Sequence, residues 1–185
     1  MHFWNYNLYY YIDDFNLKNI KKFPKNVSLI LRNYHRMPHV EKIISIKREC
    51  KKNNIKFYLS NNIKLAIKLD LDGAYIPSFN KDFCHNSFSF KKNFAILGSA
   101  HSLKEIRIKE TQKVNKIFIS PIFKTSKNKR YLGIFNYLKF DRLTANETVC
   151  LGGITEKNIK RFNDLEVKNF AGISFFKRKY LKNEK

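Results

Sequence analysis

Residues 116–133 read KIFISPIFKTSKNKRYLG, and residues 149–154 read VCLGGI. Each stretch begins with a short run of apolar and β-branched residues, which is typical of a strand that is buried on both faces. Each run then passes into small or hydroxylated residues. The second ends at Gly152 and Gly153, where backbone N–H groups can approach an anion closely. Such strand ends predict a parallel barrel with a phosphate site at its carboxyl-terminal end.

Apolar runs alternate with amphipathic segments along the rest of the chain. The expected strands cover residues 9–13, 28–32, 57–60, 73–76, 94–98, 116–120, 149–152 and 170–174. Strands that alternate with helical segments indicate parallel βαβ units, but residues 15–24 and 77–92 lack a clean helical period. The sequence therefore predicts the α/β class. We expect a single-domain (β/α)₈ TIM barrel with shortened helices over residues 1–176, followed by a basic C-terminal tail over residues 177–185.

Capping residues mark the starts of several expected helices. Asn61 or Asn62 precedes a helical stretch over residues 63–69, and Thr155 opens another over residues 155–163. Ser102 and Glu105 have the spacing of a capping box at the start of the helix expected over residues 101–113.

Length and charge narrow the class of protein. The chain has 185 residues, whereas a TIM barrel usually takes about 250, so some helices must be short. Its formal net charge of +22 would ordinarily suggest nucleic acid as a partner. However, the lysines are spread over nearly every segment, and no zinc-finger spacing or RNP-like aromatic motif is present. We therefore expect the charge to attract anionic phosphate substrates, and nucleic-acid association stays a lesser alternative.

Cysteine usage points to a reducing compartment. Cys50, Cys84 and Cys150 are odd in number and lack CxxC spacing, as free structural thiols would. The chain shows no signal-peptide pattern at its start and no apolar run of the roughly 18 residues that a membrane span needs. We expect a cytoplasmic protein without a membrane partner.

Several segments together resemble the thiamine phosphate synthase and TenI (thiazole tautomerase) superfamily. Residues 120–125, SPIFKT, are similar to the family's Gly-Pro-aromatic-Pro-Thr after the sixth strand, and its Gly-Gly-Ile after the seventh is intact at residues 152–154. Residues 94–102, FAILGSAHS, resemble its fifth strand end with Ser-x-His-Ser/Thr, and LYYYIDD and SLILR resemble its first two strands. The segments follow the family's order over nearly the whole chain. The resemblance implies a TIM barrel and a transferase of thiamine biosynthesis.

Three residues at strand ends are candidates for catalysis. Arg32 ends an otherwise apolar strand, and its guanidinium offers a planar fork to a phosphate or pyrophosphate, although a salt bridge at the rim is the alternative. Ser99 and His101 end the fifth expected strand, and the resemblance implies an acid/base role for the histidine. Imidazole suits proton transfer near neutral pH. The alternative for His101 is a structural role beside the helix cap.

The loop after the sixth strand is expected to bind substrate phosphates. The resemblance implies that hydroxyl groups and a lysine in this loop hold the pyrophosphate and the thiazole phosphate. Thr125 matches the family's threonine, and Ser126 follows it. Lys127 stands at the position of a second threonine, and Lys129 is a candidate to replace the family's lysine. A solvated basic loop is the alternative reading of these residues.

The glycine pair and a serine complete the expected phosphate site. Gly152 and Gly153 would present backbone donors, so that a branched side chain at Gly153 should occupy the place of the anion. The resemblance implies a serine near the end of the eighth strand, and Ser174 is the candidate.

The expected metal site departs from the family. The resemblance implies Mg²⁺ held by two aspartates, one after the third strand and one after the fourth, but Asn61 and Asn80 stand at these positions. Mg²⁺ prefers charged carboxylates together with substrate phosphates, and two amides supply oxygen atoms without charge. Mg²⁺ is therefore a doubtful cofactor.

These observations predict a thiamine-biosynthesis enzyme that binds a phosphorylated thiazole. It would either couple the thiazole to hydroxymethylpyrimidine pyrophosphate or tautomerise it. The family resemblance favours coupling, and the missing aspartates favour tautomerisation. The alternative outside catalysis is a degenerate barrel that binds a phosphorylated ligand without turnover. A homodimer is left open.

Overall fold

The eight predicted strands are present and close into one parallel barrel. A computed structural model describes residues 6–13, 17–33, 38–126 and 129–181. The strands are β1 (Asn7–Ile12), β2 (Val27–Leu31), β3 (Phe57–Ser60), β4 (Gly73–Ile76), β5 (Ala95–Ala100), β6 (Lys116–Ile119), β7 (Glu147–Leu151) and β8 (Asn169–Gly172). Each pairs in parallel with the next along the chain, and β8 pairs with β1. The barrel is confirmed, with strand bounds within two residues of the expected ones.

Helices connect most of the strands. They are α1 (Val40–Lys52), α2 (Ile63–Lys68), α3 (Leu103–Thr111), α4 (Gly133–Arg142), α5 (Glu156–Ile159) and α6 (Ser174–Tyr180). The eighth strand ends two residues earlier than expected, at Gly172, so that Ser174 lies just beyond the strand and begins α6. The first four residues of the expected basic tail, 177–180, belong to this last helix. None of the helices in the described ranges has the length and apolar character that a bilayer crossing requires.

Two connections are reduced to short 3₁₀ helices, as the lack of helical period predicted. Leu17–Lys22 joins β1 to β2, and Cys84–Ser87 lies between β4 and β5. A third connection is shorter than expected, because α5 has four residues and continues as the 3₁₀ turn Lys160–Leu165. Shortened helices explain how a chain of 185 residues closes a barrel of this kind.

Aromatic side chains fill the interior of the barrel. Alternate residues of the strands point inward, and the buried cluster they form is Tyr9, Tyr11, Ile30, Tyr58, Tyr75, Leu97, Phe118, Val149 and Ala171. The rings of Tyr9 and Phe118 meet edge to face with centroids 5.0 Å apart. Burial raises the pKa of Tyr9 and Tyr58, so both phenols stay neutral. Since the interior is packed, ligands can bind only at an end of the barrel.

The predicted helix caps fix the loops at the carboxyl-terminal end. The side chain of Asn62 accepts a hydrogen bond from the Leu65 N–H at 3.0 Å, and Thr155 forms a capping box with Asn158. Ser102 caps α3, accepting from the Glu105 N–H at 3.3 Å. Each cap follows a strand end closely, which orders the segments that carry the candidate site.

Candidate active site

His101 is held by the end of the neighbouring strand. Its Nδ1 lies 2.8 Å from the carbonyl oxygen of Ser120 and 3.1 Å from the Ser120 hydroxyl. A carbonyl oxygen can only accept, so this contact places the proton on Nδ1 of the neutral ring. Nε2 then carries the lone pair, on a side chain that is exposed to solvent. The imidazole is thus oriented to take a proton through Nε2. The partnership with Ser120 was not anticipated from the sequence.

The backbone at His101 is fixed as well. The Glu105 carboxylate accepts a hydrogen bond from the His101 N–H at 2.6 Å, while the Ser102 hydroxyl accepts from the Glu105 N–H. The predicted capping box is therefore shifted by one residue, because Glu105 reaches past Ser102. This arrangement ties the start of α3 to the residue that carries the imidazole.

Ser99 lies on the inward face of β5, two residues before His101. Residues two apart on a strand share a face, and Leu97 of this face belongs to the interior cluster. Ser99 is 5% exposed, and its hydroxyl has no hydrogen-bond partner among the residues that the structure describes. This nearly buried hydroxyl is therefore a candidate to bond a ligand at the carboxyl-terminal end of β5.

Arg32 occupies the same end of the barrel, directly after β2. Its guanidinium carbon lies 4.6 Å from the centroid of the Tyr11 ring, a cation–π contact. The Tyr11 hydroxyl in turn lies 3.1 Å from that of Tyr75. Arg32 therefore packs on Tyr11, which in turn bonds to Tyr75 in the interior of the barrel. Strand alternation indicated that they point inward, but it could not show that their hydroxyl groups meet.

Asn61 and Asn80 bond directly to each other. The Asn80 amide nitrogen donates to the Asn61 amide oxygen at 2.6 Å, and the Asn80 oxygen accepts from the Asp82 N–H at 2.8 Å. Among the described residues, no group of three or more His, Cys, Asp or Glu side chains is placed to hold a metal ion. Two uncharged amides already engaged by N–H donors do not fit Mg²⁺, which prefers carboxylates.

The glycine loop after β7 packs against the loop after β6. The Ile122 N–H donates to the Leu151 carbonyl at 2.9 Å, and the Phe123 N–H donates to the Gly152 carbonyl at 3.0 Å. A Cβ at Gly153 would lie 2.7 Å from the Lys124 carbonyl oxygen. A side chain at this position would therefore meet the neighbouring loop, which is a second reason for glycine beside the expected approach of an anion.

Backbone donors remain on this loop. Gly152 and Gly153 have φ angles of +94° and +69°, a region that favours glycine. In the described part of the chain, the N–H groups of Gly153 and Ile154 have no backbone acceptor. Consecutive N–H groups on a glycine-rich turn are typical of anion sites.

The remaining phosphate candidates lie in the loop after β6 and at the start of α6. Thr125 is half-buried, and Ser126 and Lys129 are exposed. Lys127 lies outside the described residues. Ser174 is exposed on the first turn of α6. The two loops are joined by hydrogen bonds, so their hydroxyl and amino groups share one edge of the barrel with the glycine pair.

Two cavities border the carboxyl-terminal end. One of about 270 Å³ is lined by Asn61, Asn80, Asp82 and His85, among others. The other, of about 440 Å³, lies between the start of α5 and α6. Two residues that line the larger cavity, Lys179 and Glu156, form an ion pair at 2.6 Å, so their opposite charges offset each other. Of the two, the smaller cavity adjoins the hydrogen-bonded pair Asn61 and Asn80.

The sequence of the chain is similar to those of known proteins. A family model described as thiamine monophosphate synthase matches residues 25–176. A thiamine-phosphate synthase of Prochlorococcus marinus is 32% identical over 129 residues, which cover 68% of this chain and 37% of that protein. One from Persephonella marina is 25% identical over 138 residues, 72% of this chain and 65% of that protein. The chain thus spans less than two thirds of the length of either relative.

A solved structure supports the same fold. The thiamine phosphate pyrophosphorylase from Pyrococcus furiosus superposes with a TM-score of 0.72, covering 92% of this chain and 86% of that one. Their sequences are 18% identical, so this similarity bears on the barrel and not on the chemistry.

Proposed function

The chain belongs to the thiamine monophosphate synthase family, and from this we propose that it binds a phosphorylated thiazole in thiamine biosynthesis and moves a proton on the ring with His101. The observation that carries the proton-transfer role is the contact of 2.8 Å between His101 Nδ1 and the Ser120 carbonyl. This contact fixes the tautomer in which Nε2 is the base.

The proposed reaction is an isomerisation, so no atom is gained or lost. Nε2 takes a proton from one carbon of the thiazole ring, and the electron pair of that C–H bond moves into the ring. The imidazolium then returns the proton to a second carbon. The Ser120 carbonyl accepts the Nδ1–H throughout and keeps the ring oriented. The Ser99 hydroxyl would donate a hydrogen bond to the substrate.

The phosphate would bind where the two joined loops present donors. We assign it to the N–H groups of Gly153 and Ile154, with help from side chains of the loop after β6 and the start of α6: Thr125, Ser126, Lys127, Lys129 and Ser174. The net charge of +22 would raise the rate at which an anionic substrate arrives.

Coupling to a pyrimidine pyrophosphate is the second candidate. It is favoured by the names of the curated relatives, which are thiamine-phosphate synthases. In that reaction Arg32 would stabilise the departing pyrophosphate. The metal-assisted form of this reaction is disfavoured, because the directly bonded Asn61 and Asn80 offer Mg²⁺ no carboxylate.

One experiment separates the candidates. The protein is incubated in D₂O, without divalent metal, with the thiazole carboxylate phosphate, and deuterium incorporation is followed by NMR. A parallel reaction supplies thiazole phosphate, hydroxymethylpyrimidine pyrophosphate and Mg²⁺, and thiamine phosphate is measured. Exchange that disappears in His101→Ala supports the tautomerase. Thiamine phosphate formation without exchange supports the synthase, and binding without either reaction indicates a degenerate barrel.

We also propose the cytoplasm as the compartment. Cys50, Cys84 and Cys150 are all free thiols, which suits a reducing environment. Rapid loss of folded protein under mild oxidation, prevented by dithiothreitol, would agree with this placement. Secretion of the active chain into an oxidising medium would contradict it.

A further inference from the structure

Lys109 of α3 is a lysine with no exposed surface. Its ammonium donates to three oxygens, which are the Pro77 carbonyl at 2.9 Å, the Asn80 carbonyl at 2.8 Å and the Gln112 side-chain oxygen at 2.8 Å. Lysine is rarely buried without partners that replace water. Here the three N–H donors meet three acceptors, so each hydrogen of the ammonium has a partner in the protein.

Gln112, directly after α3, completes the same network. Its amide nitrogen donates to the Asn80 carbonyl at 3.1 Å and to the Asp82 carbonyl at 2.8 Å. The backbone carbonyl of Gln112 accepts from His85 Nε2 at 2.8 Å. One end of α3 therefore holds the segment after β4 at several successive points.

This segment needs such support. Residues 77–94 contain one short 3₁₀ helix and no longer helix, so the carbonyls of Asn80 and Asp82 lack the helical partners that would otherwise satisfy them. The Pro77 carbonyl accepts from the Asn80 N–H at 3.1 Å as well as from Lys109. The side chains of Lys109 in α3 and of Gln112 directly after it supply the missing donors. The held carbonyls flank the Asn80 side chain, which bonds to Asn61 at the edge of the candidate site.

We propose that Lys109, assisted by Gln112, is a positioning residue that holds the loop after β4 so that Asn80 stays against Asn61. Its effect on turnover rests on the proposed function, whereas its effect on the loop does not. Lys109 touches no substrate in this scheme. It acts through the loop that borders the cavity of about 270 Å³.

Lys109→Met tests the proposal, because methionine keeps the length of the side chain and removes the donors. Hydrogen exchange measured by NMR should show the Asp82 N–H, which donates to the Asn80 side chain at 2.8 Å, exchanging at least tenfold faster. Amides of β6 should keep their rates. The matched control is Lys104→Met, since Lys104 is exposed on the same helix. Unchanged Asp82 exchange in folded Lys109→Met would overturn the proposal.

Gln112→Glu gives a second test if Lys109→Met does not fold. The carboxylate keeps an acceptor for Lys109 and loses both donors to the loop, so Asp82 exchange should rise about threefold to tenfold. If it stays at the wild-type rate, the loop is held by other contacts and the proposal fails.

Catalysis provides a readout that general destabilisation would not mimic. Where the wild type turns over, Lys109→Met should raise KM at least fivefold with kcat within twofold, and Lys109→Arg should recover part of the loss. A fall in kcat at constant KM would contradict a positioning role. If the wild type is inactive, the proposed function fails, and the exchange rates still decide the role of Lys109.

Discussion

The side-chain amide of Asn80 donates a hydrogen bond to the amide oxygen of Asn61 across 2.6 Å. The two residues follow different strands, β4 and β3, at the positions where the family resemblance calls for metal-binding carboxylates. Two ionised carboxylates at this distance would repel each other unless a cation lay between them. The amide pair closes the same gap without a cation.

Restoring both carboxylates should create a metal site. We expect Asn61→Asp combined with Asn80→Asp to bind Mg²⁺ at least tenfold more tightly than the wild type, measured by calorimetry, and to raise any coupling activity. Asn62→Asp is the control, because it adds a charge nearby and aspartate also caps helices well. Equal Mg²⁺ affinity in all three proteins would show that these positions are not metal positions.

Removing the imidazole should abolish proton transfer and leave the fold intact. His101→Ala is expected to slow exchange on the thiazole by about 10²–10⁴-fold, the usual contribution of a positioned acid/base. The melting temperature should change little, because the side chain is exposed. Ser120→Ala is the matched control, since it removes the hydroxyl at 3.1 Å and keeps the carbonyl that orients the ring. A large loss in Ser120→Ala with full activity in His101→Ala would exclude His101 as the base.

Two glycine variants separate backbone strain from packing. Gly133 and Gly153 both have positive φ, but a Cβ at Gly133 meets nothing within 4 Å, whereas one at Gly153 meets Phe123 and Lys124. Gly133→Ala should therefore cost about 1–2 kcal/mol of unfolding free energy from strain alone. Gly153→Ala should cost more and also weaken inorganic phosphate binding. Equal costs in urea unfolding would show that the loop moves aside freely.

The pH dependence of stability should report the burial of Lys109. Burial lowers the pKa of Lys109 from 10.5 to about 8, so between these values the unfolded chain binds more protons than the folded one. Stability of the wild type relative to Lys109→Met should therefore rise with pH above about 8, by at most about 1.4 kcal/mol per pH unit, and level off near 10.5. Lys109→Arg, which stays charged, should show no such rise. A difference that is flat or falls over this range in urea unfolding would contradict the assignment.

Much of the fold follows from local sequence. Strands and helices alternate because apolar runs and amphipathic segments alternate, and such units form a parallel sheet with few other topologies open to them. Asn62 and Thr155 cap the helices that they precede, since a cap depends only on the next three residues. The glycine pair and His101 were also recognisable, because each stands at the end of a buried strand.

Tertiary structure alone decided which side chains meet. Asn61 and Asn80 are 19 residues apart, and Lys109 lies 32 residues from Pro77, so neither contact leaves a local pattern. In the sequence Lys104 and Lys109 look alike as polar positions of a short helix, yet one is exposed and the other has no exposed surface. Hydrophobic periodicity and residue propensity determine each strand and helix. The packing of α3 against the irregular loop after β4 determines that Lys109, and not Lys104, exchanges its hydrating water for backbone carbonyls.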